Sequence, residues 1–500
     1  MGGHKSSVER SLVAVRVRIQ TALEWLDDKE IDARTELLEA DQALRNIELK
    51  LAGERNRLSS PLLEDDAATS AETRKWILKN FTEHDLEVAE TNVELLQSSR
   101  SSFEPIMKRS STQQVVEEID KAVQNPEVAS LLRMTGTLNF DAIALSEQPE
   151  AGPRCLSVFG AYVVHKERLI SKMEENRWID SAARFSEAWV AFCNRLDSLY
   201  EPDAVYHSAC HAVDVAGTVN WLMRSAYLRE RMTPLDHFSA LAAACLHDVG
   251  HPGKNNLWHS KTMSPLAVRY NDRSILENMH VALAFETMQS DEECNWFAQL
   301  RSSDAADDHH AANLKQYVRK GLISMVLATD MAKHNTQVEQ LKRLAEEQKE
   351  NPDADLRSDA NQKTAQQNAL ERKLFLLETV VHGCDISNPA KQQPMMLGWT
   401  RRVLSEFWSQ GDEERRLGFE VSPLCDRESG MATVPKGQLG FINFVVLPFF
   451  KPLADLIPEA QQAVDELMTN CEFWKAQDAA GRSFEEIFGA PPIMIVTPAS

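Results

Sequence analysis

Six histidine and aspartate residues carry the chemistry that this sequence suggests. They are His207, His211, His247, Asp248, His251 and Asp385. Each stands at or near the polar end of an apolar stretch, where a polar side chain without a partner would be costly to bury. A bound metal ion is the economical partner for such a set, so the pattern predicts a metal site.

The types of donor narrow the choice of metal. Two histidines and two carboxylates would offer nitrogen and oxygen without thiolate, which suits Zn²⁺ in a catalytic site with positions left open for water. A carboxylate has two oxygens, so one aspartate could bridge to a second, harder ion such as Mg²⁺ or Mn²⁺. Two ions about 3.5–4 Å apart would lower the pKa of a shared water and hold a phosphoryl oxygen.

The elements that position these residues are predicted to be helices. Three strongly apolar segments have helical periodicity and end in polar residues: FSALAAACLHDVGH, LISMVLATDMAKH and LFLLETVVHGCDISNP. Glycine and proline are scarce, at 19 and 20 of 500 residues, which favours helices over a turn-rich β architecture. We predict an all-α fold, in which a compact multi-helix catalytic domain follows a helical N-terminal region.

The N-terminal region has a pattern of its own. Residues 11–57 have the periodicity of an amphipathic helix with one register break, which fits either packing on its own domain or a weak homodimer. The start MGGHKS matches the N-myristoylation pattern with Gly2 as acceptor, and chance explains the match equally well. Because one acyl chain binds a bilayer only marginally, we expect a cytoplasmic protein with peripheral membrane contact if Gly2 is acylated.

Composition excludes several classes of protein. The chain has 54 basic and 75 acidic residues and a net charge of −21, which argues against a nucleic-acid polymer as partner. A hydrophobic content of 43% argues against disorder. Eight cysteines without a CxxC pair favour a reducing, intracellular setting. The longest apolar stretch, residues 439–450, falls short of the ~18 residues that span a bilayer, so no transmembrane helix is predicted.

HDVGHPGKNN has the form H-D-x-x-H-x-G-x-x-N and resembles the signature of the class I cyclic nucleotide phosphodiesterases, a branch of the HD-type metallohydrolases. The resemblance extends, in the family's order, through YHSACHAVDV, SPLAVRYNDRSILENMHVALAFE, ATDMAKH, HGCDISNPAK, LSEFWSQGDEERRLG, SPLCDR and KGQLGFINFVVLPFF. It covers about Gly136 to Phe488. It implies a phosphodiesterase catalytic domain over residues 115–488, between an N-terminal regulatory or dimerisation region over 1–114 and a tail over 489–500.

The resemblance also implies a role for each matching residue. His211, His247, Asp248 and Asp385 match the zinc ligands, with Asp248 bridging to Mg²⁺ or Mn²⁺, and His207 matches the general acid for the leaving 3′ oxygen. His251, Glu277 and Thr329 match positions around the second metal's waters and the bridging hydroxide, and Asp330 would orient a ligand histidine. The implied substrate-binding residues are Tyr206, Asn388, Val403, Phe407, Gln438 and Phe441, with Gln438 pairing with the purine and Phe441 stacking on it.

The implied reaction is hydrolysis of 3′,5′-cyclic nucleotides to 5′-monophosphates, which would terminate cyclic nucleotide signalling. Gly250 and Met396 depart from the family's pattern, which puts the pocket's fine detail in doubt. Asn388-Pro389 resembles cAMP-preferring members, but asparagine also occurs in a cGMP-preferring one, so cAMP is favoured and cGMP stays open. Two other functions also stay open: another HD-type phosphohydrolase, and a non-catalytic nucleotide-sensing scaffold.

Overall fold

The computed structural model describes residues 112–201, 203–301, 314–350 and 363–493. Within these ranges the secondary structure is helical, with a single isolated β-bridge between Ile179 and Leu300. The α-helices are, in chain order, α1 (Thr112–Gln124), α2 (Pro126–Arg133), α3 (Ala142–Ser146), α4 (Cys155–Lys166), α5 (Leu169–Glu175), α6 (Ala182–Leu199), α7 (Ala209–Met223), α8 (Ala226–Arg231), α9 (Pro234–Leu246), α10 (Asn256–Lys261), α11 (Pro265–Tyr270), α12 (Ile275–Ser290), α13 (Leu314–Leu327), α14 (His334–Glu350), α15 (Lys363–Asp385), α16 (Gln393–Arg416), α17 (Arg427–Phe441), α18 (Leu447–Leu456), α19 (Gln461–Ala479) and α20 (Phe484–Phe488). The all-α prediction is confirmed.

Several predictions lie outside the described residues. These are the amphipathic helix over 11–57, the homodimer that it would support and the acylation of Gly2. The domain boundaries at 114 and 488 also stay predictions.

Helices α7 and α9 form the centre of the domain. Every residue of α7 from Cys210 to Met223 is buried, and eleven residues of α9 are buried. A helix that is buried on all sides belongs in the interior of a large domain. The two helices pack on each other and both pack on α15, so the polar ends of three core helices are held in one rigid body.

The end of α9 delivers the HDVGH motif. The helix begins with Pro234 and a capping box in which Thr233 and Asp236 satisfy each other's backbone N–H groups, and it ends at His247. Gly250 then has φ +74, in the left-handed region that glycine, asparagine and aspartate tolerate best. This backbone conformation explains why glycine suits the turn inside the motif.

Helices α16 and α17 form one wall of the site. Trp399, Val403, Glu406 and Phe407 recur at helical spacing on one face of α16, and α17 packs against α16. A π-helical turn over Ile442–Val446 follows Phe441 directly; such turns occur frequently at functional sites.

The α17–α18 segment also has the length and apolar composition of a membrane span. Within the described residues it is the one helix, Arg427–Leu456, that passes this test, and 56% of its most apolar window is buried inside the fold. A helix in the core of a protein can have the same length and apolar composition, so these two properties do not by themselves indicate a membrane span.

Candidate active site

Four of the predicted ligands converge on one point. One donor atom each from His211, His247, Asp248 and Asp385 lies within 4.8 Å of the others. His211 Nε2 is 2.9 Å from Asp385 Oδ1, and His247 Nε2 is 3.1 Å from Asp248 Oδ2 and 3.3 Å from Asp385 Oδ1. Residues separated by as much as 174 positions in the chain are therefore brought to bonding distance of a single ion.

The unsatisfied atoms in this cluster fit a metal ion. His247 Nε2 and Asp248 Oδ2 are buried and make no hydrogen bond, a state that normally costs free energy. The other ring nitrogen of His247, Nδ1, lies 2.9 Å from the carbonyl oxygen of Ala244, to which it donates its hydrogen, so Nε2 is left as a lone pair directed at the cluster. A backbone carbonyl that fixes the tautomer of a ligand histidine in this way is typical of metal sites.

The electrostatics of the cluster also favour a cation. Burial opposes the charged forms of His247, Asp248 and Asp385, but the opposite charges that face each of them have the larger effect. The pKa of His247 is raised well above its usual value by the carboxylates of Asp248 and Asp385, and the pKa of each of those carboxyls is lowered well below its usual range, chiefly by His247. These shifts indicate an excess of negative charge in the cluster, which a divalent ion would offset.

His207 lies beside the cluster and is held by a residue that sequence reasoning missed. Its Nδ1 forms a hydrogen bond with the Glu406 carboxylate, and the backbone N–H groups of Tyr206 and His207 donate to the other carboxylate oxygen at 2.9 and 3.2 Å. Burial alone would lower the pKa of His207, but Glu406, with smaller contributions from Asp248 and Asp385, raises it to about 9. His207 is therefore protonated at neutral pH.

His251 lies against His207 in the opposite charge state. The two rings stack with centroids 3.8 Å apart, and the backbone N–H of Gly253 donates to His251 Nδ1 at 3.0 Å. Burial and the neighbouring charge of His207 lower the pKa of His251 well below its usual value, so this ring is neutral and carries its hydrogen on Nε2.

The remaining predicted polar residues line the far side of the site. Asn256 Nδ2 donates to both carboxylate oxygens of Glu277, at 3.2 and 3.1 Å, and burial together with the charge of Asp330 raises the pKa of Glu277 to about 8. Asp330 accepts hydrogen bonds from Ser274 Oγ at 2.6 Å and from the backbone N–H of Ala332 at 3.0 Å. Thr329 is buried next to it. The role of Asp330 in orienting a ligand histidine stays a prediction.

Three further buried histidines, His280, His334 and His382, differ in their environment. His280 donates from Nδ1 to the Val249 carbonyl at 2.8 Å and has Nε2 3.7 Å from Asp248 Oδ1, so it lies behind a predicted ligand. His334 and His382 bond to each other at 2.9 Å through Nδ1 and Nε2 in the buried core.

The predicted substrate-binding residues lie on two adjoining walls. Val403, Phe407, Gln438 and Phe441 are half-buried on α16 and α17. The two helices meet where Thr400 Oγ1 donates to Gln438 Oε1 at 3.5 Å. Met396, which departs from the family's pattern, is fully buried, and its sulfur lies 3.7 Å from Thr400 Oγ1.

Tyr206 and Asn388 form the second wall. The Tyr206 ring lies 4.6 Å from the ring of His211 and 5.9 Å from that of Trp399, and its hydroxyl donates to Asn388 Oδ1 at 2.5 Å. Asn388 thereby connects the metal cluster to a buried polar network around Asp214 and Lys391, which sequence reasoning also missed.

Residues 206–467, just over half of the chain, match the family model described as 3′5′-cyclic nucleotide phosphodiesterase. The chain belongs to this phosphodiesterase family. The matched span contains all of the predicted metal, acid and substrate-binding residues, and it begins at Tyr206 itself.

Individual relatives agree with this assignment. The chain is 36% identical over 291 residues to a Drosophila melanogaster protein named 3′,5′-cyclic-AMP phosphodiesterase, isoform F, and 32% identical over 355 residues to mouse 3′,5′-cyclic-AMP phosphodiesterase 4C. These matches cover 58% and 71% of this chain but only 41% and 47% of the two relatives, so the chain spans less than half of their length.

A solved structure of a family member shares the fold. The phosphodiesterase domain of the RhoPDE fusion protein from the choanoflagellate Salpingoeca rosetta superposes with a TM-score of 0.56 at 27% identity. The match covers 72% of this chain and 98% of that domain. The membership of this phosphodiesterase family that the sequence motifs predicted is confirmed, and so is a metal-type donor cluster in the fold.

Proposed function

We propose that this protein hydrolyses 3′,5′-cyclic nucleotides to nucleoside 5′-monophosphates, prefers cAMP to cGMP, and thereby terminates cyclic nucleotide signalling. The observation that carries the proposal is the convergence of four metal-type donors beside a histidine whose Nδ1 is hydrogen-bonded to a buried carboxylate. The fly and mouse relatives are named as cyclic-AMP phosphodiesterases, which supports cAMP as the preferred substrate.

The donor cluster is proposed to hold two divalent ions, Zn²⁺ and Mg²⁺ or Mn²⁺. Two histidines and two carboxylates would suit Zn²⁺, and Asp248, with His251 and Glu277 nearby, would also help to hold a harder ion. When bound, such ions supply positive charge to a phosphate and a low pKa to a bound water.

His207 is proposed to be the general acid. Glu406 engages Nδ1, so the proton on Nε2 is the one that can be given to the departing 3′ oxygen. A pKa above neutrality keeps that proton in place until the leaving oxygen develops negative charge.

The half-buried side chains on α16 and α17 are proposed to hold the base. Gln438 can donate and accept hydrogen bonds through its amide, and Phe441 and Val403 offer apolar faces to a purine ring. Phe407, Tyr206 and Asn388 would complete the walls.

The test incubates purified full-length protein and Mg²⁺ with cAMP or cGMP and follows 5′-monophosphate by chromatography. His207→Ala should abolish most activity, whereas His165→Ala, which changes an exposed histidine of α4, should retain it. Absence of product with both cyclic nucleotides would refute the proposal. Turnover of nucleoside triphosphates instead would indicate another HD-type phosphohydrolase, and tight binding without turnover would indicate a sensing scaffold.

We also propose that the protein is cytoplasmic, that residues 1–114 support a homodimer, and that Gly2 carries a lipid that adds peripheral membrane contact. The support is the heptad pattern and the MGGHKS motif. Metabolic labelling with a myristate analogue, compared between the wild type and Gly2→Ala, tests the lipid. Sedimentation of the full chain against a variant that begins at residue 115 tests the dimer.

A further inference from the structure

A basic cavity lies at the opposite end of α9 from His247. It has a volume of about 460 Å³ and is lined by residues from the start of α5, the end of α7, α8 and the start of α9. Because an α-helix rises about 1.5 Å per residue, the length of α9 sets this cavity roughly 20 Å from the HDVGH motif. The volume lies within the range of about 300–1,000 Å³ that is typical of small-molecule sites.

Most of the charged residues that line this cavity are cations. They are Lys172, Arg224 and Arg229, against a single carboxylate, Glu167. Three positive charges and one negative charge leave a net charge of +2, in a chain whose net charge is −21. A cavity whose lining has the opposite sign to the rest of the chain attracts anions.

The carboxylate does not neutralise these cations. Glu167 Oε1 accepts hydrogen bonds from Arg224 Nη1 at 3.1 Å and from Asn220 Nδ2 at 3.4 Å. Lys172 Nζ donates instead to the backbone carbonyl oxygen of Glu167 at 3.1 Å, which leaves its charge uncompensated. Arg229 is exposed and pairs with no carboxylate of the residues that the structure describes. Two positive charges are therefore available to a ligand.

His237 supplies a further polar group to the cavity. Its Nε2 donates to Asn220 Oδ1 at 2.9 Å, so Nδ1 carries the lone pair. Burial, with smaller contributions from the charges of Lys172 and Arg224, lowers the pKa of His237 to about 3. The ring adds no charge at neutral pH, and it lies close enough to both cations to be affected by them.

The same cavity also has an apolar lining. Leu169, Met223 and Leu228 are buried at its surface, and Met232 is half-buried there. A bare phosphate ion would leave these side chains without a contact, so they favour an anionic group that is attached to an apolar body. A phosphomonoester carries a charge of about −1.5 to −2 at pH 7, which matches the net charge of the lining better than the single charge of a carboxylate does.

We infer that this cavity binds a small phosphomonoester. Lys172, Arg224 and Arg229 hold the phosphate, since arginine and lysine bind phosphate through charge-assisted hydrogen bonds. The organic part contacts Met223 and Met232. The inference goes beyond the proposed function, because none of these residues belongs to the candidate active site. The phosphate can belong to a soluble molecule or to a lipid headgroup, and the experiment distinguishes these two sources.

The test uses full-length protein that is labelled with ¹³C at the methionine methyl groups. Phenyl phosphate is titrated into the protein and the methyl signals are followed by NMR, with Met223→Leu and Met232→Leu identifying the two signals from the cavity. We expect these two signals to shift and to reach saturation. Inorganic phosphate has only the charge and benzyl alcohol only the apolar body, so both should bind more weakly. The readout is local to the cavity and needs no turnover, so it stands even if the protein hydrolyses no cyclic nucleotide.

Two variants test the assigned cations. Arg229→Gln and Lys172→Gln should each weaken the binding of phenyl phosphate at least about tenfold, because each removes a charge-assisted hydrogen bond. Arg229 is exposed, so this replacement should not prevent folding. The matched control is Arg343→Gln, which changes an exposed arginine of α14 outside the cavity and should keep the wild-type affinity.

Vesicles identify the source of the phosphate. The Gly2→Ala protein, which cannot be acylated, is sedimented with phosphatidylcholine vesicles that contain or lack phosphatidylinositol 4-phosphate. Co-sedimentation that needs this lipid and is lost in Arg229→Gln would support the inference with a lipid headgroup as the ligand. Binding of phenyl phosphate without co-sedimentation would support it with a soluble phosphomonoester. Methyl signals of Met223 and Met232 that do not shift, or an affinity that is unchanged in both Arg229→Gln and Lys172→Gln, would overturn the inference.

Discussion

Replacement of Glu406 by glutamine tests how the proposed acid is kept protonated. Glu406 is buried, and both of its oxygens are used: one accepts two backbone N–H groups and the other meets His207 Nδ1. In Glu406→Gln the amide oxygen would retain the backbone N–H groups, which leaves the NH₂ group facing Nδ1. His207 Nδ1 must then be an acceptor, so the ring becomes neutral with its hydrogen on Nε2.

The size of the effect follows from the protonated fraction of His207. Burial lowers the pKa of this residue and the Glu406 carboxylate is the first of the groups that raise it to about 9. Without that carboxylate, burial should bring the pKa to or below the ordinary value of about 6.5, at which only about a tenth of the rings are protonated at pH 7.5. Bound metal ions would offset the smaller contributions of Asp248 and Asp385, so the dependence on Glu406 should become stronger in the loaded enzyme.

We therefore expect kcat/KM for cAMP to fall by about tenfold to a hundredfold at pH 7.5 in Glu406→Gln, within the range that general acid catalysis contributes. The fall in rate on the alkaline side should begin at a lower pH than in the wild type, because a raised pKa is what keeps the acid protonated as pH increases. Steady-state rates between pH 6 and 9.5 measure both effects.

Glu414→Gln is the matched control for this experiment. Glu414 is buried on the same helix, two turns further on, and accepts hydrogen bonds from Ser422 and Gln410 instead of from His207. It should tolerate the same substitution with an unchanged pH profile. If Glu406→Gln keeps both the wild-type alkaline limb and a rate within twofold, the assigned function of this carboxylate is wrong.

Three further predictions concern the metal and the turn beside it. His207→Ala should lower kcat by about 10²–10⁴-fold while the metal content by mass spectrometry is unchanged, and loss of zinc would contradict its assignment as an acid rather than a ligand. Asp385→Ala should lower the metal content itself, and chelation should lower the melting temperature of the wild type but not of this variant, because a ligand that binds only the folded state stabilises it. Gly250→Ala should lower the free energy of unfolding by about 1–2 kcal/mol, measured in urea, because φ is +74 and the new Cβ would lie 2.7 Å from Leu283 Cδ2; Gly250→Asn should cost less.

Sequence reasoning could single out the four predicted ligands, which the structure brings together, because they lie in compact motifs. HDVGH places a histidine, an aspartate and a second histidine within five residues. The apolar run of α9 stops directly before this motif, and that change from apolar to polar residues is a strong local signal. The helices themselves can be predicted from apolar periodicity, because this pattern is set by residues that lie close together in the sequence.

Glu406 and Lys391 could not be found in the same way. Glu406 lies 199 residues from His207, inside a helix rich in charged residues, where a glutamate is exposed by default. Lys391 follows a polar turn and would ordinarily be exposed as well. Their functions depend on tertiary contacts across the chain, and the only local signal, the position of Glu406 seven residues after Trp399, indicates a shared face without indicating a partner.

The acidic residues near the metal cluster affect how the site could bind an anionic substrate. Six carboxylates are gathered around the metal cluster: Asp214, Asp248, Glu277, Asp330, Asp385 and Glu406. Lys391 and protonated His207 are cations set against them. If His247 is neutral and Glu277 ionised, four negative charges remain, the number that two divalent ions would neutralise. The raised pKa of His247, caused by Asp248 and Asp385, and that of Glu277, caused by burial and Asp330, both reflect this excess of negative charge. With two such ions bound, the field at a phosphate would be reversed, so the proposed anionic substrate would be compatible with so acidic a chain.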